Sequence, residues 1–150
     1  MLNEKIGTLK LAAPPSVEIG TSVGEVINEF QRHTIGCMLI FDQHKLVGIM
    51  TERDVLMKIV ARDVAYEEPI EKFMTADPIT FTPDCTIGDA IGLMDRNKFR
   101  NIPIVSAETA ECIGVFSIKD VIDYVVESFP KQVMNLPPRP HQEMKTPEGA

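Results

Sequence analysis

The sequence predicts an α/β (α+β) fold built from two β-α-β-β-α units related by a pseudo-twofold axis. Three observations predict it. The string GIMTERDVL at Gly48–Leu56 returns as GVFSIKDVI at Gly114–Ile122, 66 positions later. Upstream, an ungapped offset of 64 sets Ile6, Ala12, Pro14, Gly24, Ile27 and Arg32 over the identical residues Ile70, Ala76, Pro78, Gly88, Ile91 and Arg96. Each copy also carries two apolar runs around a polar turn, flanked by stretches of helical periodicity. Such a repeat is one supersecondary unit that cannot bury its apolar faces alone, so two copies are expected to share a core.

The elements follow in the same order in both units. Ser16–Ile19 and Thr80–Thr82 read as short strands just after a proline. Helices are expected over Ser22–Gln31 and Thr86–Asn97, each opened by a hydroxyl N-cap with an acid three residues on, Glu25 or Asp89. Val23, Val26, Ile27 and Phe30 supply the apolar face of the first, and Ile87, Ala90, Ile91 and Met94 that of the second. The runs CMLIF and LVGIM around DQHK, and IPIV and CIGVF around SAETAE, read as hairpins buried for most of their length. Final helices are expected over Glu52–Val60 and Ile118–Ser128. Repeat 1 thus spans 6–62 and repeat 2 spans 70–128, with 63–69 as a solvated linker. Residues 129–150 form a Pro-rich tail, either a plain terminus or an arm that anchors on a second copy through Phe129, Val133 and Leu136.

Composition narrows the function. The chain of 150 residues is 44% hydrophobic and carries a formal charge of −7, with no basic stripe to displace counterions from a nucleic-acid duplex. No apolar run reaches the ~18 residues of a membrane helix, and the polar N-terminus does not resemble a secretion signal. Three scattered cysteines without a CxxC spacing fit reduced thiols in a cytoplasm, and three dispersed histidines offer no metal site.

The chemistry lies in the repeated string. Thr51 with Asp54, and Ser117 with Asp120, stand where a strand gives way to a helix. Taken alone each pair is a helix cap. Its double occurrence, the basic residue inside each copy (Arg53, Lys119) and the preceding Gly48 or Gly114 also suit a phosphorylated ribose. The helix N-terminus and hydroxyl would meet the phosphate, and the carboxylate would accept from the ribose hydroxyls.

With these residues and the string FRNIPIV, the sequence resembles the CBS-domain pair, the family called after cystathionine beta-synthase. The resemblance covers about Leu9–Val126. It implies a cytoplasmic, non-catalytic regulatory module with no required cofactor, which binds AMP, ADP, ATP, NAD or another adenosine derivative and dimerises into a disc. Carried over residue by residue, one cleft uses Thr51, Arg53 and Asp54 with Thr80, Phe81, Arg100, Ile102 and Pro103. The other uses Ser117, Lys119 and Asp120 with Ser16, Val17, Cys37 and Met38. Ile35 stands where the other unit has a basic residue and Met38 where it has Pro103, so the Asp120 cleft departs from the family pattern. A homodimer is also expected because Val55, Leu56, Ile59 and Val60, and Val121, Ile122, Val125 and Val126, leave the final helices little polar face. The alternative reading is a structural dimerisation adaptor with vestigial clefts.

Overall fold

The structure is a computed structural model that describes residues 2–33 and 36–128. Ile35 and the tail, with Phe129, Val133 and Leu136, lie outside the described residues. The elements are β1 (Ser16–Glu18), α1 (Val23–Arg32), β2 (Cys37–Asp42), β3 (Lys45–Thr51), α2 (Glu52–Asp54), β4 (Thr75–Ala76), α3 (Ile87–Asn97), β5 (Asn101–Val105), β6 (Cys112–Ser117) and α4 (Ile118–Ser128).

Strands β1-β2-β3-β4 form one sheet, with β1 parallel to β2 (Ser16 opposite Leu39) and the other pairs antiparallel. The β2–β3 hairpin closes through Gln43 and His44, both at positive φ (49° and 70°), as a two-residue turn whose twist matches the strands. The second unit repeats this layout in reduced form. β5 and β6 are antiparallel, Phe81 bridges Ile104 in parallel on one side, and Ala12 bridges Val115 on the other. The strand expected over Thr80–Thr82 is therefore a single bridge. The Pro-flanked segment offers the sheet only the Phe81 N–H and C=O, bonded to Pro103 O (3.0 Å) and Val105 N (2.8 Å).

Four consecutive residues of β2, Cys37 to Ile40, are buried, because the strand has a core on each face. Met38 and Ile40 face α1 with Val23, Val26, Met50, Ile59 and Ile70. Cys37 and Leu39 face the other unit with Ile49 and Val115. In the second unit Ile102, Ile104 and Phe116 pack beneath Ile87, Ala90, Leu93 and Met94 of α3. Ile91, assigned to that core from its spacing, lies on the exposed face of α3, and Leu93 takes its place.

The first segment of each unit crosses to the other. Ile6 is fully buried in the second unit's core, and Ile70, its repeat partner, in the first unit's. The same exchange satisfies the free N–H groups that open the helices. Val23 and Gly24 donate to Glu68 O and Tyr66 O at 2.8 and 3.0 Å, and Ile87 and Gly88 donate to Glu4 O and Leu2 O, both at 2.9 Å. Residues 63–69, read from their polarity as a solvated connector, thus cap α1 through their carbonyls, and Val64 packs on the first core.

The expected helix Glu52–Val60 is only in part α-helical. After Asp54 it continues as π-helix over Val55–Val60. Its wide winding carries past its end, where Ala61 N bonds Leu56 O and Val64 N bonds Ile59 O, each across five residues. The fourth helix is α-helical throughout Ile118–Ser128 as expected.

Candidate functional site

Each repeated string is a strand running straight into a helix. Hydrogen bonds to the residue before β2 or β5 hold the junction, with Glu52 N donating to Gly36 O (3.4 Å) and Ile118 N to Arg100 O (3.0 Å). In the first junction Thr51 Oγ1 accepts from Asp54 N, and Asp54 Oδ2 accepts from Thr51 N, both at 3.1 Å. This reciprocal cap satisfies two donors at once. In the second, Asp120 N donates to Ser117 Oγ (3.3 Å) and Ser117 N to Asp120 Oδ2 (2.7 Å).

The two hydroxyls differ. Ser117 Oγ also donates to Asp120 Oδ2 at 3.0 Å, so its proton is engaged inside the motif. Thr51 Oγ1 only accepts within its own motif, leaving its proton to point elsewhere. The carboxylates differ as well. Asp54 Oδ1 pairs with Lys58 Nζ at 3.4 Å, whereas among the described residues Asp120 has no cationic partner. Arg53, Lys119 and Arg100 are exposed, and Asp54 and Asp120 are half-buried.

The remaining expected site residues fall into two groups by backbone pairing. Cys37 lies opposite Thr51, and Met38 opposite Met50, while Ser16 and Val17 pair with Leu39 and Ile40. Asn101, next to Arg100, lies opposite Ser117; Ile102 and Pro103 lie opposite Phe116 and Val115, and Pro103 O receives Phe81 N. Thr80 is half-buried beside Phe81. Among the described residues no hydrogen bond or ion pair joins Thr51, Arg53 or Asp54 to Thr80, Phe81, Arg100, Ile102 or Pro103. The starts of β2 and β5 do meet across the pseudo-twofold, where a Cβ on Gly36 would lie 3.7 Å from the Asn101 amide.

The glycines of the repeated string have a packing role. A Cβ on Gly114 would meet Leu11 Cβ at 2.8 Å, and one on Gly48 would meet the Met74 side chain. Both face the crossed-over segment of the opposite unit's sequence, so they belong to the exchange and lend no separate weight to a ligand. Cys37 is buried and its thiol is pushed up to about 11 by desolvation and then by Cys112, which leaves it a core residue without thiolate character. A shallow cavity of about 300 Å³ opens on α3, lined by Phe81, Cys85, Gly88, Asp89, Gly92 and Arg96; of the expected site residues only Phe81 reaches it. Among the described residues no cluster of His, Cys, Asp and Glu could hold a metal, and no described helix is long and apolar enough to cross a membrane.

The CBS domain family matches the chain twice, over residues 9–61 and 70–127. The chain belongs to the CBS-domain family. The sequence resemblance is thereby borne out, and the two CBS repeats account for both copies of the string. An uncharacterized 17.7 kDa protein of Acidianus ambivalens is 34% identical over 106 residues, covering 70% of this chain and 63% of that one. An Arabidopsis thaliana CBS domain-containing protein is 30% identical over 112 residues, covering 73% of this chain and 20% of its own length. The chain therefore spans less than two thirds of these relatives. Among solved structures, an uncharacterized conserved protein of Pyrococcus horikoshii superposes with a TM-score of 0.75 at 20% identity, covering 83% of this chain and 94% of that one. A CBS domain protein of Pyrobaculum aerophilum solved with AMP gives 0.72 at 23% identity, covering 83% and 98%. These likenesses establish the CBS-pair fold.

Proposed function

We propose that the chain is a non-catalytic, cytoplasmic regulatory module that binds an adenosine derivative, AMP, ADP, ATP or NAD, in clefts between its CBS repeats. The observation that carries this reading is the doubled strand-to-helix junction, in which a hydroxyl, a basic residue and a carboxylate occupy one helix N-terminus in each repeat. Relatives of the fold support the ligand class. Besides the AMP complex of the Pyrobaculum protein, the CBS domain pair of protein MJ0100 was solved with 5′-methylthioadenosine and S-adenosyl-L-methionine.

In the proposed clefts Thr51, Arg53 and Asp54 act with Thr80, Phe81, Arg100, Ile102 and Pro103. Ser117, Lys119 and Asp120 act with Ser16, Val17, Cys37 and Met38. The Thr51 cleft is the stronger for a phosphorylated ligand, because the Thr51 proton is not spent within its motif and Arg53 and Arg100 are both cationic. Occupancy regulates only through different affinities for two states of the module. Titration calorimetry with AMP and ATP tests the reading. Asp54→Ala is expected to lower the tightest affinity roughly 10- to 150-fold, the worth of a hydrogen bond to a charged group. Asp120→Ala is expected to leave it nearly unchanged. No binding of either nucleotide by the wild type at millimolar concentration would refute the reading.

A dimerisation adaptor is the second reading. It is favoured by the exposed side chains Leu56, Val60, Ile122, Val125 and Val126, which form apolar strips on the two final helices. In this second reading the clefts are vestigial, so the titrations above separate the two: only the first requires ligand binding.

A further inference from the structure

Lys58 has no counterpart in the second repeat. It sits one turn beyond Asp54, on the π-helical stretch, and its ammonium group meets three partners: Asp54 Oδ1 at 3.4 Å, Phe73 O at 3.2 Å and Thr75 Oγ1 at 3.4 Å. The last two belong to the segment that forms β4 and then runs on to Thr80 and Phe81. At the equivalent place the second repeat has Tyr124, whose hydroxyl donates to Glu4 on the other crossed-over segment. Both helices thus reach their crossing segment from the position four after the aspartate, but only Lys58 also holds the aspartate. The groups that face Asp54 are therefore unlike those that face Asp120.

We propose that Lys58 is a positioning and specificity-determining residue of the Thr51–Asp54 cleft, an inference that rests on the nucleotide-binding reading above. It fixes one carboxylate oxygen while Thr51 N fixes the other, and each oxygen keeps a lone pair with which to accept from a vicinal diol. Its charge offsets that of Asp54, which would otherwise repel the phosphate of a ligand bound to the same motif. Its bonds to Phe73 O and Thr75 tie this geometry to the segment that delivers Thr80 and Phe81. Among the described residues Asp120 lacks this offset, so the two clefts should discriminate differently between phosphorylated and uncharged nucleosides.

The test is calorimetric titration of the full chain with AMP and with adenosine, for the wild type, Lys58→Gln and Lys58→Arg. Lys58→Gln is expected to weaken AMP binding about two- to fivefold more than adenosine binding, in line with a partly exposed charge pair. Lys58→Arg is expected to keep most of the wild-type ratio, which a purely structural role of the side chain would not require. Raising salt should shrink the wild-type preference for AMP and have less effect on that of Lys58→Gln. Wild-type AMP binding with an unchanged AMP-to-adenosine ratio in folded Lys58→Gln would overturn this proposal and leave the nucleotide reading standing. Failure of the wild type to bind either compound would overturn both.

Discussion

Gly114→Ala probes the contact between the second repeat's sheet and the segment that crosses to it. The added methyl carbon would lie 2.8 Å from Leu11 Cβ and 3.1 Å from Ala12 O, where unstrained carbon contacts are about 3.5–4.0 Å. Neither neighbour can swing away, since Leu11 Cβ is fixed to the main chain and Ala12 O is held by Val115 N at 3.0 Å. The segment must retreat, and overpacking of this kind costs about 1–3 kcal/mol. Loss of freedom in the unfolded chain offsets about 0.4–1 kcal/mol. A net destabilisation of about 1–2 kcal/mol is expected, and at roughly 4 °C per kcal/mol the melting temperature should fall by roughly 4–8 °C. Gly48→Ala is the internal control. Its methyl would meet the Sδ of Met74 and, at 2.8 Å, its Cγ, but a methionine with three rotatable bonds can move aside, so the loss should stay under about 1 kcal/mol. Urea denaturation of both variants measures the difference. A Gly114→Ala protein as stable as wild type, or less damaged than Gly48→Ala, would refute the argument that these glycines serve the exchange.

Other expectations are open to similar measurement. Phe116→Ala, which empties a fully buried site between β5 and α3, should cost about 3–5 kcal/mol in urea denaturation. Replacing Gln43 and His44 by Asn and Gly should raise the thermal midpoint, since each residue now bears an unfavourable positive φ worth about 1–2 kcal/mol. The hydrogen bond from the Thr86 N–H, and then the Thr86 hydroxyl, hold the Asp89 carboxyl below its ordinary value, so its contribution is present above about pH 4 and is lost as pH falls through the lowered folded value. Asp89→Asn should therefore flatten that part of the acid limb of a stability-against-pH curve. Sedimentation at tens of micromolar should give a dimer for the wild type and a shift towards monomer for Ile122→Glu, which places a charge on the exposed apolar strip of α4 beside Val125 and Val126; an Ile122→Glu chain that remains wholly dimeric would move the interface elsewhere.

The repeat made most of the fold legible. Ser22 and Thr86 cap their helices, and both hairpins fall on the expected runs. Thr51 with Asp54 and Ser117 with Asp120 form the expected junctions, because a hydroxyl and an acid at this spacing act within one turn of helix. What stayed hidden was long-range. The identity of Ile6 with Ile70 and of Gly24 with Gly88 marks equivalent places, but alignment cannot say which core an isoleucine enters. The Gly24 contact with Tyr66, and the Gly88 contact with Leu2, depend on a chain that has already crossed. For the same reason the sequence did not show that the mostly exposed 63–69 segment also caps α1 through its carbonyls. The pairing of Lys58 with Asp54, one helical turn away, is locally legible, but its bonds to Phe73 and Thr75 lie 15 and 17 residues on, which no local motif encodes. The α-helical spacing of Val55–Val60 likewise gave no hint of wider winding. Its residues Leu56, Met57 and Val60 are exposed while Ile59 is buried, so only part of the apolar face assigned to that helix is free.

The crossed segments also order the events of folding. During synthesis the first repeat emerges without Ile70, the residue that completes its core, and the second has waited since Ile6 for the α3 helix that receives it. The Ile6 N–H bonds a carbonyl 79 residues away at Cys85, so closure of the second core is a late, long-loop event. Cutting the gene at the sequence repeat would give halves that each lack a buried isoleucine. A cut that keeps residues 13–77 together respects the first core, and circular permutation with a linker from the end of α4 to Leu2 would place Ile6 and its own core side by side. Such a permuted chain should refold faster than the natural one while reaching the same final structure.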